Sequence, residues 1–502
     1  MSDRSLVYDR LEGADEGVRE TLCTLGDGHF ATRGASARAT ADGTHYPGTY
    51  LAGGCNRLKS EIQGHEIENE DLVNIPNWLP LLFRIGDGPW LRPSETERLE
   101  ERRELSLRDG VLIWTARLRD AEGRVTRREE RRPVSMADPH VGAIELKLTA
   151  ENWSGALTLR SAIDGGVINA GVPRYGELNS RHLETLERVQ TDAETVLLRS
   201  RMVQSRREIV LAARTRVTGG GNAERSLERL PDLIGQDIAL KLEEGAALRV
   251  EKVVALHTST DHAISEPALA ATGRLASAGG FEAILDAHRR AWETPWEESG
   301  IELETSEDSD VRLHLRLHIF HILQTNSIHS RDMDVGIPPR GWTGEACRGH
   351  IMWDELFVFP FLNLRKPELT RALPQYRHRR LDAAREAARE AGLRGAMFPW
   401  QSGSDGREES QTLHLNPRSG RWVPDTSNRQ RHVNAAIAYN VRQYDEVTHD
   451  RDFLSEIGAE LMAEIARFWA SLADCDPETG SWSIRGVMGP DEFHTACPGR
   501  DR

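Results

Sequence analysis

A β-rich domain followed by a helical one, with a helical linker between them, is the fold class that the sequence predicts. Two observations carry it. From the start to about residue 265, short alternating apolar runs are broken by turn residues, and beyond about residue 310 the apolar residues recur at helical spacing. Strands grouped first and helices grouped second make separate domains, not a βα alternation. A chain of 502 residues also exceeds what one ordinary core accommodates. The divisions fall at 1–265 for an N-terminal β-sandwich, 266–309 for the linker and 310–502 for the helical domain.

Within the first domain the clearest strands are Gly110–Trp114, Gly142–Leu148 and Leu248–Val254. Gly219-Gly220-Gly221-Asn222 and Asp164-Gly165-Gly166 mark turns between strands, the punctuation of a sandwich. Gly26-x-Gly28 lacks the third glycine and the strand–turn–helix setting of a dinucleotide fingerprint, and reads as another β turn. Phe281–His288 reads as a connecting helix. Helices are predicted at roughly 310–327, 350–363, 367–391, 432–447 and 451–473, with Leu461, Ile465, Phe468 and Trp469 giving the plainest apolar stripe.

Composition excludes several classes. The chain is 38% hydrophobic and 28% charged, ordinary for a globular protein. No apolar run approaches the roughly 20 residues that span a bilayer, and Met1-Ser2-Asp3-Arg4-Ser5 lacks a signal peptide's layout. Cys23, Cys55, Cys347, Cys475 and Cys497 form no Cys-x-x-Cys pair, as expected of a cytoplasmic protein without a disulfide frame or structural zinc. A net charge of −15 argues against a nucleic-acid footprint. His314, His318 and His321 lie on one helical face and could be metal ligands, but Leu315, Leu317 and Phe320 around them favour packing, with Asp310 as a cap. No metal or cofactor is read from the sequence.

The most informative stretch is Gly489-Pro490-Asp491-Glu492-Phe493-His494. Gly-Pro forces a turn, and two carboxylates follow beside an aromatic ring and an imidazole. A carboxylic acid packed against such rings can stay protonated near neutral pH, as a general acid for glycosidic cleavage must. On these residues alone, Asp-Glu after Gly-Pro is more often an N-cap for a following helix.

Five further stretches join it: Leu25-Gly26-Asp27-Gly28 with Arg33-Gly34; Pro47–Gly53; Val73–Trp78; Ser135–His140; and Gly349-His350-Ile351-Met352-Trp353-Asp354-Glu355. In their order and spacing they resemble glycoside hydrolase family 65, which includes maltose, trehalose, kojibiose and nigerose phosphorylases and some α-glucosidases. The resemblance runs from about residue 25 to 494. It implies a β-sandwich, a helical linker and an (α/α)6 barrel that holds the active site. It implies inverting cleavage of an α-glucosidic disaccharide, with Glu492 as general acid and phosphate or water as nucleophile. Asp491 would orient the turn or cap the next helix. Trp353 and Asp354 match positions that hold the non-reducing glucose, an indole against the apolar face of the ring and a carboxylate accepting from hydroxyls. Trp400 and Gln401, after Phe398-Pro399, match another sugar-contacting pair.

Two departures stand out. Family members often read Trp-Asp-Thr-Glu where Glu355 here follows Asp354 directly, so Glu355 receives no role. Several phosphorylases carry Glu where this chain has Gln401. The polar segment 405–431 is expected to be a loop over the acceptor side of the pocket, so exchanging it for a short linker should change disaccharide preference. Only five or six barrel helices fit before Arg502, against twelve in the family. The first half of the barrel is therefore expected, in a truncated member whose exposed helix faces favour aggregation. A catalytically silent carbohydrate-binding fragment is the alternative. The implied partners are a small α-glucoside and, for a phosphorylase, inorganic phosphate as co-substrate with no cofactor; no nucleic acid or membrane is expected, and a homodimer rests on the resemblance alone.

Overall fold

The computed structural model describes residues 4–9, 16–304 and 309–490. Its N-terminal part is built from antiparallel sheets. The largest runs, in spatial order, Ser5–Tyr8, Glu97–Ser106, Val111–Arg119, Val125–Pro133, Val141–Ala150, Ala247–Thr258, Glu208–Thr218, Thr195–Met202 and Leu183–Gln190. A second sheet, Glu224–Leu230, Leu233–Leu242, Gly155–Asp164 and Leu81–Ile85, shares one hydrophobic core with it. Strand alternation decides which residues meet there. Ile144, Leu146 and Leu148 turn inward against Leu157, Leu159, Ile234 and Ile238. Val141 and Ala143 turn outward, toward the linker helices. Lys252 lies fully buried on the inner face, where its Nζ donates to the carbonyls of Pro80 (3.0 Å) and Ala162 (2.7 Å). Burial drives its pKa well below the ordinary lysine value.

A third sheet, Leu25–Gly26, Phe30–Thr32, Thr49–Ile62 and His65–Asn74, lies next to the helical part. The Gly26-x-Gly28 turn joins its first two strands, as expected. Gly28 has φ +93°, and a Cβ there would run into the Ser327 hydroxyl, so no other residue fits.

Three helices surround the junction: α1 (Glu16–Leu22), α2 (Pro267–Ser277) and α3 (Phe281–Ser299). The sequence signalled α3 but not α1 or α2. For α2 a signal existed in Glu266-Pro267: the Glu266 side chain accepts from the backbone N–H of Leu269, with Pro at the first helical position. Helix α3 packs through Phe281, Ile284 and Leu285 on the outer face of the large sheet. His288 pins it, donating from Nε2 to the Gly110 carbonyl (3.1 Å) and accepting at Nδ1 from Met136 N–H (2.9 Å).

The helical part contains α4 (Ser309–Thr325), α5 (Glu355–Arg365), α6 (Pro367–His378), α7 (Leu381–Glu390), α8 (His432–Thr448), α9 (Arg451–Phe453) and α10 (Ala459–Leu472) among the described residues. The expected helix 310–327 agrees with α4 and 432–447 with α8. The expected helix 367–391 is two helices, broken at Arg379–Arg380. Buried Arg380 sits there, donating to Asp334 (2.9 Å) and to the carbonyls of Gly403 (3.3 Å) and Ser404 (2.6 Å), so tertiary bonding overrides propensity. The expected helix 350–363 begins only at Glu355, because 346–349 form a 3-10 turn with Cys347 and Arg348 at positive φ. The 451–473 helix carries a π segment at Leu454–Gly458. Segment 405–431 is not a bare loop but holds a hairpin, Leu413–Asn416 with Arg421–Pro424.

Of the three histidines on α4, His314 and His318 are exposed, while His321 Nδ1 meets the Gln324 amide nitrogen at 2.8 Å. Burial lowers the His321 pKa to about 4. Asp310 falls in the first turn of α4 and not at its N-cap. Cys23, Cys55, Cys347 and Cys475 are free thiols. None of the described helices is long and apolar enough to cross a membrane.

Candidate functional site

Two loop segments of the helical part converge on one ring. The first, 349–354, leads into α5; the second, 398–404, follows α7. An isolated antiparallel bridge joins Ile351 to Ser402 (3.0 and 3.1 Å), and its register carries Trp353 toward Trp400. Both indoles reach His432 at the start of α8. The Trp353 and Trp400 rings each lie 4.9 Å from the imidazole, at interplanar angles of 90° and 54°. Residues 47 apart in sequence thus line one aromatic corner.

Each wall of that corner is braced. Asn434, in the first turn of α8, accepts from Phe398 N–H (2.8 Å) and donates to its carbonyl (3.3 Å). Glu408 accepts from the backbone N–H of Trp400 (2.8 Å) and Gln401 (3.1 Å) and from the Ser410 hydroxyl (2.8 Å). Burial nonetheless raises the Glu408 pKa. Gly349, at φ +68°, passes so close to the sheet that a Cβ would approach the Leu72 Cβ to 2.6 Å.

His350 links the corner to the sheet part. Its Nε2 lies 2.9 Å from the Glu70 carbonyl and its Nδ1 lies 3.0 Å from the amide end of Gln401, at the position placed as Oε1. A carbonyl only accepts, so Nε2 carries the proton. Burial lowers the His350 pKa and keeps the ring neutral, which makes Nδ1 an acceptor. Gln401 must then present its NH2 to His350, an amide orientation assigned from the network.

Asp354 occupies the N-cap position of α5 but makes no capping hydrogen bond with its side chain, so the helix does not claim its carboxylate. It is half-buried, and that burial raises its pKa. Glu355 is different. It is buried, accepts from Ile337 N–H (3.1 Å) and lies 3.6 Å from Arg377, which makes it part of the packing. Burial raises its pKa too. Trp353, Asp354, Trp400 and Gln401 are therefore neighbours. Glu492 and Asp491 lie outside the described residues; the chain leading to them is tied down by Met488 N–H donating to the Arg429 carbonyl (3.0 Å), three residues before His432.

Sequence reasoning missed His432, Asn434 and Glu408. The first two were visible only as the start of a periodic helix, and Glu408 sat in a segment read as loop.

A sheet domain beside a helical part whose loops present indoles, a carboxylate and an amide offers the flat apolar faces and hydrogen-bonding groups that suit a small polar ring. Comparison with known proteins makes the assignment specific. Residues 6–294 match the glycosyl hydrolase family 65 N-terminal domain and residues 316–499 match the glycosyl hydrolase family 65 central catalytic domain. The chain belongs to glycosyl hydrolase family 65. It is 46% identical over 500 residues to an uncharacterized glycosyl hydrolase of Mycobacterium tuberculosis, covering 99% of this chain and 38% of that one. It is 34% identical over 504 residues to the trehalose 6-phosphate phosphorylase of Lactococcus lactis, covering 99% and 63%. It is 30% identical over 506 residues to the kojibiose phosphorylase of Thermoanaerobacter brockii, covering 98% and 63%. The chain thus spans between about two fifths and two thirds of the length of these relatives. A solved structure, a human-microbiome protein provisionally assigned as a kojibiose phosphorylase, superposes with a TM-score of 0.84 at 19% identity, over 98% of this chain and 63% of that one. The fold is the same.

Proposed function

We propose that this chain carries the sugar-binding and acid-catalytic part of an inverting α-glucosidic disaccharide phosphorylase. The observation that carries the reading is the convergence of Trp353 and Trp400 on His432, with the uncommitted Asp354 carboxylate beside them. Glu492 would donate its proton to the glycosidic oxygen as the anomeric C–O bond breaks. Phosphate would form the new bond from the opposite face, giving the β-anomer of glucose 1-phosphate and a free acceptor sugar. The phosphorylase relatives favour phosphate over water as nucleophile.

In this reading residues 1–265 form a β-sandwich, 266–309 the linker and 310–502 the first half of an (α/α)6 barrel. Trp353 packs on the glucose ring, Asp354 accepts from its hydroxyls, and Trp400 and Gln401 close the subsite. Gln401 matters through His350. An ionised Glu there could not donate to Nδ1 and would call for a charged imidazole, so Gln401 replaces an ion pair with a neutral amide–imidazole pair of the same net charge. No cofactor enters the reading. A cytoplasmic location without nucleic-acid or membrane partners belongs to it, and a homodimer is carried by family resemblance.

The test is turnover of maltose, kojibiose, nigerose, trehalose and trehalose 6-phosphate with and without inorganic phosphate, with the product anomer read by NMR. Phosphate-dependent release of β-glucose 1-phosphate is expected, falling about 10²–10⁴-fold in Glu492→Gln. The α-anomer, or a rate unchanged in the variant, would overturn the proposal. Sugar binding without turnover would favour the second reading, a silent carbohydrate-binding unit.

A further inference from the structure

A cavity of about 750 Å³ opens between the sheet part and the helical part. None of Trp353, Asp354, Trp400 or Gln401 lines it, although the bridge residues Ile351 and Ser402 do. Three turns of the sheet part bring His29, His140 and Asp261 to its wall, with ligand atoms all within 4.8 Å of one another.

His29 Nδ1 lies 2.9 Å from the Pro139 carbonyl, so it must carry the proton, and Nε2 is left with a bare lone pair. That atom faces Asp261 Oδ1 at 3.6 Å. Asp261 is an ionised carboxylate. Its Oδ2 accepts from His257 Nδ1 (3.1 Å) and Thr258 N–H (2.9 Å), and its Oδ1 from the Thr258 hydroxyl (2.6 Å).

A lone pair facing a carboxylate oxygen needs a positive species between them, either a proton on Nε2 or a metal ion. At 3.6 Å the gap is too long for a hydrogen bond. It is close to the separation of about 3.4 Å between two ligands held about 2.1 Å from one tetrahedral ion. His140 supplies the third donor. It stacks on His257 with centroids 3.8 Å apart and meets His29 edge-on at 4.8 Å. Its Nδ1 lies 2.9 Å from the Leu256 carbonyl and so carries the proton, which leaves Nε2 as its free nitrogen.

Two other clusters of candidate ligands are carboxylate-rich and already ion-paired to arginine. Glu70, Asp405 and Glu409 share Arg57, while Glu16 pairs with Arg103 and Glu20 with Arg33. Among the described residues the ion-pair partners of Asp261 are all histidines.

We propose that His29, His140 and Asp261 form a divalent transition-metal site of the zinc type, with its fourth position open to the interdomain cavity. Two imidazoles, one carboxylate and one exchangeable position make a donor set that zinc accepts. Thr258 and His257 would orient the carboxylate as outer partners do in such sites. Donor atoms that lie within 4.8 Å of one another must draw in to about 3.4 Å on binding. The ion would tie together the turns at 27–29, 139–140 and 258–261, which the chain otherwise joins through hydrogen bonds alone.

The test uses the full chain, stripped with chelator and titrated with Co²⁺. Visible bands of four-coordinate cobalt are expected at one equivalent, abolished by an equivalent of Zn²⁺ and absent in Asp261→Asn and His140→Gln. X-ray absorption at the zinc edge of the reloaded wild type provides a readout independent of variant folding, and should show two imidazoles and no sulfur. Failure of the wild type to take up Co²⁺, uptake unchanged in folded variants, or a sulfur ligand from a free cysteine would each overturn the site. The first of these would leave a protonated His29 paired with Asp261.

Discussion

In the sheet part, one continuous core joins two packed sheets, and large side chains such as Trp78 and Phe83 are fully buried in it. In the helical part the core is smaller, gathered around Trp400, Ile437, Phe453 and Leu461. There Phe357 and Leu364 remain 67% and 72% exposed on α5. Antiparallel sheets that face each other complete their own interior. A row of helices buries one stripe per helix and needs neighbours on both sides. Stability and solubility should therefore be governed by different halves of the chain.

The sharpest way to break that comparison is to cut a hole in the sheet core. Trp78 is fully buried, donates from Nε1 to the Thr32 hydroxyl (2.8 Å) and packs so closely on Gly142 that a Cβ there would come within 3.1 Å of its ring. Trp78→Ala should cost about 3–5 kcal/mol in denaturant unfolding. A loss below about 1 kcal/mol would mean that the sheet part does not set the stability.

The junction offers the next effect. Glu345, on the helical side, accepts from the hydroxyls of Tyr46 and Tyr50 and from Gly171 N–H, all in the sheet part. Burial is the largest influence and raises its pKa to about 7 despite these bonds. A carboxyl with a raised pKa favours folding while protonated. Its contribution is full below the unfolded value near about 4.3 and is lost as pH rises toward 7. Stability should thus fall by about 3–4 kcal/mol over that window, and Glu345→Gln should flatten the slope. Parallel profiles for wild type and variant would remove Glu345 as the cause.

The smallest effect on stability, with a clear effect on solubility, is expected in the helical part. Phe357→Ser with Leu364→Ser should change the unfolding free energy by less than about 0.5 kcal/mol. It should also lower light scattering at high protein concentration. Unchanged scattering would show that these side chains do not drive association.

How much was legible follows the same division. Strands such as Val141–Ala150 and Ala247–Thr258 were readable because Ile144, Leu146, Leu148, Leu248 and Val250 face the core while Glu145, Lys147, Arg249 and Glu251 alternate with them on the other face. Helices α4 and α8 were readable by period. The break at Arg379–Arg380 was not, because Asp334, Gly403 and Ser404, far away in sequence, decide it. The hairpin at Leu413–Pro424 had its signal in Asn416-Pro417 and Ser419-Gly420, a turn between two short apolar runs. At the site, Trp353, Asp354, Trp400 and Gln401 were legible only as a family pattern, since no local rule pairs residues 47 apart. His432 and Glu408 carry no signature at all, because their part is to support other side chains. His29, His140 and Asp261 lie in turns where each residue alone looks ordinary.

The hydrogen bond from His350 to the Glu70 carbonyl has a consequence for how such proteins diverge and can be recombined. The loop bearing Trp353 hangs from a strand of the sheet part, so that part sets the height of one wall of the pocket. A chimera that exchanged only the helical portions of two family members would seat the loop on a foreign strand. Residues 69–74 and 345–354 would have to be inherited as one block, although about 270 positions of chain lie between them.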